Sequence, residues 1–207
     1  RTNSGNYAST DNLKGYWKME DGSGTKLTDV SGSGIDGTIE GASWTTGVAS
    51  TSYDNKPKTM APGNALSFDG SNDYVSTANT SSLSGGAVVS VQVWIYKTSD
   101  PAAGIFLYHG SGAADGANFA YQIYEVSGAD LISFYIRTSN GATGVTFDSN
   151  DISLNTWHQI VGVYDGSNLK SYLNGTLKGT SGSISGSIQS INNPLHIGKQ
   201  YNGSYFA

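Results

Sequence analysis

The chain has 207 residues, a formal net charge of −5 and no cysteine. This length is enough to bury the core of one large domain, and the lack of cysteine excludes disulfides and thiolate chemistry. Lysines and arginines are scattered singly, which argues against nucleic-acid binding, and no apolar run is long enough to span a membrane. Glycine, serine, threonine and asparagine are abundant, which is typical of short strands joined by tight turns.

Residues 1–12 are polar and lack periodicity, so we interpret them as a tail or linker before one domain at 13–207. The aromatic-rich run 13–19 predicts a first strand, and the polar segment 29–37 predicts a loop. Later strands are predicted from short apolar runs between turn residues. They cover 65–68, 74–76, 87–96, 105–108, 118–126, 131–138, 145–147 and 195–197.

The segment 157–179 carries the clearest β signal. Ile160, Gly162 and Tyr164 alternate with two valines, and the alternation resumes at 169–173 after a turn. Asn174-Gly175 then precedes a third run. Asn-Gly between alternating runs is a strong hairpin signal, because both central residues of a type I′ turn need positive φ. An antiparallel meander and about a dozen short strands predict an all-β sandwich.

Within 87–96, Trp94 and Tyr96 lie on the strand face opposite to four aliphatic residues. Because both faces carry large apolar groups, we predict that both are covered, as in the middle of a sandwich sheet. The aliphatic residues are Val89, Val91, Val93 and Ile95. We also assign all four tryptophans to the core: Trp17, Trp44, Trp94 and Trp157.

Four groups of residues resemble a known family. They are L-K-G-Y-W-K-M-E-D-G-S-G-T with D-V-S-G-S-G-I-D-G-T-I, then A-L-S-F-D-G-S-N-D-Y-V, then V-V-S-V-Q-V-W-I-Y, and finally W-H-Q-I-V-G-V-Y-D-G…Y-L-N-G with P-L-H-I-G-K-Q. In this order they resemble the laminin-G-like, concanavalin A-like jelly-roll domains of bacterial and phage surface proteins. The resemblance implies a two-sheet antiparallel jelly-roll sandwich.

Members of that family end on a strand of the type Gly-x-Ile-Asp-x-Val, whereas this sequence stops at Tyr205-Phe206-Ala207. We expect the closing strand to come either from residues beyond 207 or from a second copy of the chain. Unpaired sheet edges favour such strand exchange.

The same fold houses glucanases, which need two carboxylates across a cleft. The acidic strand typical of those enzymes is absent. The only glutamates are Glu20, Glu40 and Glu125. We predict that Glu125 is a solvent-facing acid at a strand end. Ordinary strand positions are predicted for the three histidines, His109, His158 and His196. We therefore expect no enzyme activity.

Oxygen-bearing residues alternate along 29–36, and two further aspartates flank the turn at 69–73. Calcium binds six to eight oxygens, and the resemblance implies one structural calcium ion near the first and last strands. The expected ligands are Asp29, Asp36, Asp69 and Asp73. The alternative is that these carboxylates bond turn amides.

Carbohydrate recognition uses aromatic platforms beside groups that hydrogen-bond hydroxyls. The chain has 13 tyrosines, several of them on the strands predicted within 105–138. The predicted carbohydrate-binding residues are Tyr108, Asp115, Asn118, Tyr121, Tyr124 and Tyr135. The alternative for each tyrosine is a half-buried position in a sheet.

Three functions follow in order of preference. The first is a non-catalytic recognition or adhesion module, extracellular or on a cell or virion surface, that binds glycan or a cell-surface partner. The second is a structural subunit or decoration of a filament, surface layer, capsid or tail, completed by strand exchange between copies. The third is a polysaccharide-cleaving enzyme.

Overall fold

The computed structural model describes residues 12–47, 63–99, 104–111, 118–126, 128–200 and 205–206. Apart from Asn12, the predicted tail lies outside these residues. The strands are β1 (Lys26–Leu27), β2 (Gly37–Glu40), β3 (Ser43–Thr46), β4 (Asn64–Ser67), β5 (Tyr74–Thr77), β6 (Val89–Tyr96), β7 (Gly104–Gly110), β8 (Phe119–Val126), β9 (Leu131–Thr138), β10 (Gly141–Asp148), β11 (Trp157–Tyr164), β12 (Leu169–Leu173), β13 (Thr176–Thr180) and β14 (Leu195–Ile197). A short 3₁₀ helix covers Ser149–Asp151. No described helix is long and apolar enough to cross a membrane.

Two large sheets contain most of these strands. The eight-stranded sheet has the order β1-β2-β5-β14-β7-β8-β9-β10, and the four-stranded sheet has the order β13-β12-β11-β6. Strands β3 and β4 form a separate hairpin. Every pairing is antiparallel. The predicted all-β, two-sheet antiparallel sandwich is confirmed.

The core lies between the two sheets. Strand β11 shows why: its even-numbered residues are buried and its odd-numbered residues are only half-buried, which is the period of 2 expected for a strand with one core face. At Gly162 a side chain would overlap the Phe134 ring of the opposite sheet, so glycine permits the close approach of β9 and β11. Tyr164 crosses the same core and donates its hydroxyl to the Gly186 carbonyl at 2.7 Å.

The predicted meander is formed by β11, β12 and β13. Ile160 pairs with Leu173 and Tyr172 pairs with Leu177. Asn174 and Gly175 both have positive φ, at 52° and 83°, as a type I′ turn requires. The hairpin turn predicted at Asn174-Gly175 is confirmed.

Two predicted strands are wrong in extent. Residues 13–19 form only an isolated bridge between Trp17 and Asp29. The Tyr16 amide donates to the Asp29 side chain at 2.9 Å, so a carboxylate takes the place of a strand partner. The strand predicted at 145–147 instead runs through all of β10. Its glycines interrupt the apolar alternation in the sequence. At Gly144 a Cβ would lie 2.6 Å from the Tyr135 ring.

The prediction that β6 lies mid-sheet with both faces covered is also wrong. Among the described strands β6 pairs only with β11, so it lies at the edge of the four-stranded sheet. Trp94 is 51% exposed, which contradicts its assignment to the core. The other three tryptophans are half-buried.

Candidate functional site

The outer face of the eight-stranded sheet, defined as the side away from the four-stranded sheet, carries three predicted sugar-binding tyrosines. Tyr108 pairs with Gln122, which pairs with Tyr135, and Tyr124 lies one row away on the same face. Tyr121 points to the opposite, core-facing side. Asn118 lies next to β8 and its side-chain amide donates to the Ser111 hydroxyl at 2.8 Å. The remaining candidate, Asp115, lies outside the described residues.

The rings on this face pack mainly on one another. Phe119 stacks on Tyr135 with ring centroids 5.5 Å apart, and the Arg137 guanidinium lies 5.4 Å from the Phe119 centroid. Tyr108 is only 2% exposed and Tyr121 only 5%. The Tyr121 ring belongs to the core and the Tyr108 ring to the aromatic cluster on the outer face. Neither ring therefore offers an open face to a sugar.

Burial also raises the pKa of the Tyr124 hydroxyl, despite a hydrogen bond with Ser133 that lowers it. Tyr124 and Tyr135 are half-buried. For these two residues and Asn118, sugar binding stays a prediction.

One cleft of about 380 Å³ opens on this face, beside the ends of β7 and β14. Its polar lining is Asn79, Ser111, Asn193, His196 and Lys199. His196, the middle residue of β14, is nine-tenths buried, and its Nδ1 has no hydrogen-bond partner among the described residues. Burial, together with the charges of Lys199 and His109, lowers the pKa of His196 to about 4. The imidazole is therefore neutral at pH 7.

The other two histidines serve the fold. His109 Nε2 lies 3.3 Å from the Thr80 carbonyl and 3.1 Å from the Asn193 carbonyl, so it ties together two chain segments that also form a backbone bridge. His158 lies 3.2 Å from the Ser153 carbonyl. Burial lowers the pKa of both imidazoles and outweighs these carbonyl contacts, which raise it.

The solvent-facing side of the four-stranded sheet differs from the outer face of the eight-stranded sheet. Trp94 of β6 lies directly opposite Gln159 of β11, and Gln92 precedes Trp94 by two residues on the same face. Neither glutamine side chain hydrogen-bonds another described residue. Tyr96 and Trp157 extend the surface, with ring centroids 5.5 Å apart. We call these five residues the Trp94 face.

Sequence reasoning missed this surface although the signal is present. Ser90 and Gln92 alternate with the buried or half-buried valines of β6, and both are exposed. Two polar residues on the side that carries Trp94 indicate a solvent face. The large apolar groups at positions 94 and 96 outweighed that signal and led to the wrong assignment.

The predicted calcium ligand Asp29 is fully engaged by hydrogen bonds. Its Oδ1 accepts from the Tyr16 and Ser31 amides, both at 2.9 Å. Its Oδ2 accepts from the Ser31 hydroxyl at 2.9 Å and the Ile35 amide at 3.0 Å. Burial raises the pKa of Asp29, but these bonds more than offset it and hold the pKa below the usual value.

The other three aspartates are also engaged. Asp36 accepts from the Lys26 ammonium at 2.7 Å and from the Asp29 amide at 2.9 Å. The Lys26 hydrogen bond is the main cause of the lowered pKa of Asp36. In the second turn, Asp69 accepts from the Ser71 amide at 2.8 Å, and Asp73 accepts from the Asp69 amide at 3.0 Å.

The four carboxylates do not form one calcium site. Asp36 precedes β2 and Asp73 lies beside Gly41, which follows it. Five residues of extended chain separate these ends by roughly 16 Å. No described group of three or more His, Asp or Glu side chains is arranged to hold a metal. The four expected ligands therefore do not converge on one ion, and a calcium site at either turn stays a prediction.

The prediction that Glu125 faces solvent is wrong. Glu125 is 5% exposed and both of its oxygens accept from the Lys97 ammonium, at 3.1 and 3.0 Å. Lys97 directly follows β6, whereas Glu125 lies in β8, so the pair joins the two sheets. This carboxylate is committed to the fold.

Comparisons with solved structures identify binding domains of the same architecture. The binding domain of Paraclostridial Mosquitocidal Protein 1 has a TM-score of 0.66 at 15% identity, covering 95% of this chain and 47% of that chain. The binding domain of Botulinum Neurotoxin DC in complex with SialylT has a TM-score of 0.57 at 14% identity, covering 91% and 44%. The present chain thus spans less than half of either toxin domain.

A third similar structure is domain 4 of AbnA, a GH43 extracellular arabinanase from Geobacillus stearothermophilus, in complex with arabinotriose. The TM-score is 0.56 at 15% identity, covering 86% of this chain and 81% of that chain. At these identities the three likenesses establish the fold. No curated protein matches the chain significantly in sequence.

The family comparison matches the laminin G type of the concanavalin A-like lectin/glucanases superfamily over residues 69–207. The match begins just before β5 and includes every later strand of the two large sheets. It covers more than half of the sequence, and the observed sandwich agrees with it. The chain therefore belongs to the concanavalin A-like lectin/glucanase superfamily.

Proposed function

We propose that this chain is a non-catalytic recognition module that binds glycans on the Trp94 face. One observation carries the proposal: Trp94 is 51% exposed on the solvent-facing side of the four-stranded sheet, with a glutamine side chain beside it on each of β6 and β11. A large aromatic group normally buries most of its surface, so half-exposure on an ordered strand requires an explanation.

The chemistry of this surface suits a sugar. A pyranose or furanose ring has an apolar face of C–H groups that stacks on an aromatic ring, and hydroxyl groups around its rim. A glutamine amide offers two N–H donors and one carbonyl acceptor, and so bonds hydroxyls in either sense. Gln92 and Gln159 flank Trp94, and their side chains make no hydrogen bond to another described residue. An aromatic platform with a few polar groups is the usual composition of such a site.

Two structural neighbours support a glycan as the ligand class. One toxin binding domain is described in complex with SialylT and the arabinanase domain in complex with arabinotriose. A cell-surface glycoprotein would present the same chemistry, and is the partner that we propose for an extracellular or surface-displayed module.

The buried ion pair between Glu125 and Lys97 supports a non-catalytic role. Glycoside hydrolysis needs a pair of carboxylates across a cleft, one of which must bind or release a proton. Glu125 is held in a buried ion pair with Lys97, so both of its oxygens are already bonded to an ammonium and closed to a substrate. Glu20 and Glu40 are both exposed, and neither lines the cleft beside β7 and β14.

A glycan array tests the proposal. Wild-type protein is expected to bind at least one glycan class, and Trp94→Ala to lose that binding. Leu154→Ala is the matched control, because Leu154 is also an exposed large apolar residue, 42% exposed, in a different part of the chain. Absence of binding to any neutral glycan by the wild type, or equal binding of neutral glycans by Trp94→Ala, would contradict the proposal.

A structural role is the second candidate, and the position of β6 favours it. No described strand pairs along the outer edge of β6, and an open edge is a template for a strand from another copy. Size-exclusion chromatography with light scattering distinguishes the two roles. Strand exchange predicts oligomers that persist on dilution, whereas a stable monomer contradicts it.

A further inference from the structure

The cleft on the outer face of the eight-stranded sheet lies on the opposite side of the sandwich from the Trp94 face. We propose that it is a second, independent ligand site, which takes the carboxylate-bearing ring of an acidic sugar. The proposal goes beyond recognition by the Trp94 face and does not depend on it.

Lys199 supplies the charge. Its ammonium lies 3.8 Å from the Tyr74 ring centroid and 5.7 Å from that of Tyr205, and it has no carboxylate partner among the described residues. Four other described lysines are ion-paired, namely Lys26, Lys97, Lys170 and Lys178, whereas Lys14 and Lys18 are not. Aromatic faces hold the Lys199 cation in place without neutralising it. A fixed, uncompensated cation beside a cleft selects an anion.

His196 supplies a buried polar atom that lacks a partner. Its imidazole lines the cleft, whereas Nδ1 itself is closed to solvent. The ring lies parallel to Tyr108, 6.4 Å between centroids at an angle of 23°, and is tilted against Tyr74 at 6.1 Å. These rings fix the imidazole at the cleft wall.

The remaining lining residues indicate that the anionic ligand is a sugar. Asn79, Asn193 and Ser111 bring amide, carbonyl and hydroxyl groups, which match the rim of a sugar ring. No carboxylate is among the residues that line the cleft. A volume of about 380 Å³ is within the range of small-molecule sites. Lys199 then bonds the carboxylate of the ring, and the amides bond its hydroxyls.

NMR titration of the ¹⁵N-labelled chain tests this assignment. The probes are sodium D-glucuronate and N-acetylneuraminate, with D-glucose and sodium acetate as the neutral sugar and the bare carboxylate. At least one acidic sugar is expected to shift the Ser111 and His196 signals and to bind about tenfold more tightly than glucose or acetate, because a charge-assisted bond is added. Added salt is expected to weaken it.

Two variants separate the site from general charge effects. Lys199→Met is expected to reduce the affinity for the acidic sugar about tenfold, whereas Lys178→Met, a control at another exposed lysine, leaves it unchanged. Asn79→Asp, which places a carboxylate beside the cation, has the same effect as Lys199→Met. No shift with either acidic sugar, acetate binding as tight as the acidic sugars, or insensitivity to Lys199→Met would overturn the proposal. Trp94→Ala leaves this binding intact, so the two sites fail or succeed separately.

Discussion

The outer faces of the two sheets both carry aromatic side chains, but these rings are covered on one face and exposed on the other. On the eight-stranded sheet, aromatic rings stack on one another, a guanidinium covers Phe119, and Tyr108 is 2% exposed. On the four-stranded sheet, Trp94 stands half-exposed between unbonded glutamine side chains. Aromatic content alone therefore does not identify a recognition surface. What covers the rings decides whether they stabilise the fold or remain free for a ligand.

The largest loss of stability is expected at the buried Lys97–Glu125 pair, which joins the two sheets. Lys97→Met or Glu125→Gln is expected to lower the free energy of unfolding by about 3–5 kcal/mol, because either change leaves one buried polar group uncompensated. Urea unfolding measures this loss.

A double variant supplies the control. Lys97→Met/Glu125→Leu removes both charges and is expected to recover most of the loss, since apolar side chains can replace a buried ion pair at little cost. Equal losses in the single and double variants would show that packing, rather than pairing, accounts for the effect.

Matched truncations on the two outer faces test whether the aromatic rings differ in their contribution to stability. Tyr108→Ala is expected to cost about 3 kcal/mol, because it empties a packed aromatic layer. Trp94→Ala is expected to change the free energy of unfolding by at most about 0.5 kcal/mol, as for other exposed positions. Chemical unfolding of both variants checks the pair. A large loss for Trp94→Ala would mean that the ring is part of the packing.

A smaller effect is expected from Asp29, which organises the loop before β2. Asp29→Asn loses charge-assisted bonds to the Tyr16, Ser31 and Ile35 donors, and is expected to cost about 1–3 kcal/mol at pH 7. The hydrogen bonds hold the pKa of Asp29 below its usual value. Its contribution is therefore complete above about pH 4 and disappears as the pH falls through the folded-state value.

The pH dependence gives that prediction its control. Wild type and Asp29→Asn should differ in unfolding free energy at pH 7 and converge on acidification. A difference that stays constant from pH 7 to pH 2 would contradict the role of the ionised carboxylate.

The sequence was sufficient to predict the sandwich and its meander, because alternation and the Asn174-Gly175 turn are local signals. It was insufficient for β10, where Gly144 makes room for the Tyr135 ring of a neighbouring strand. The bond from the Tyr16 amide to Asp29, which replaces a strand partner, was equally hidden. Both errors arise from contacts between separate segments.

The candidate sites depended still more on tertiary structure. Nothing local distinguishes Glu125 from a surface acid, since its partner Lys97 is 28 residues away at the end of a strand in the other sheet. Trp94 was recoverable, because Ser90 and Gln92 share its face. The cleft at His196 was not, because its lining comes from segments as far apart as Asn79 and Lys199.

The most direct test of the central claim is to locate a bound glycan by NMR. The neutral glycan with the strongest array signal is added to ¹⁵N-labelled protein, and the indole and side-chain amide signals are followed. The account predicts that the Trp94 indole and the Gln92 and Gln159 amides shift, with a Kd that rises at least tenfold in Trp94→Ala. Shifts confined to the outer face of the eight-stranded sheet, with the Trp94 indole unmoved, would contradict it.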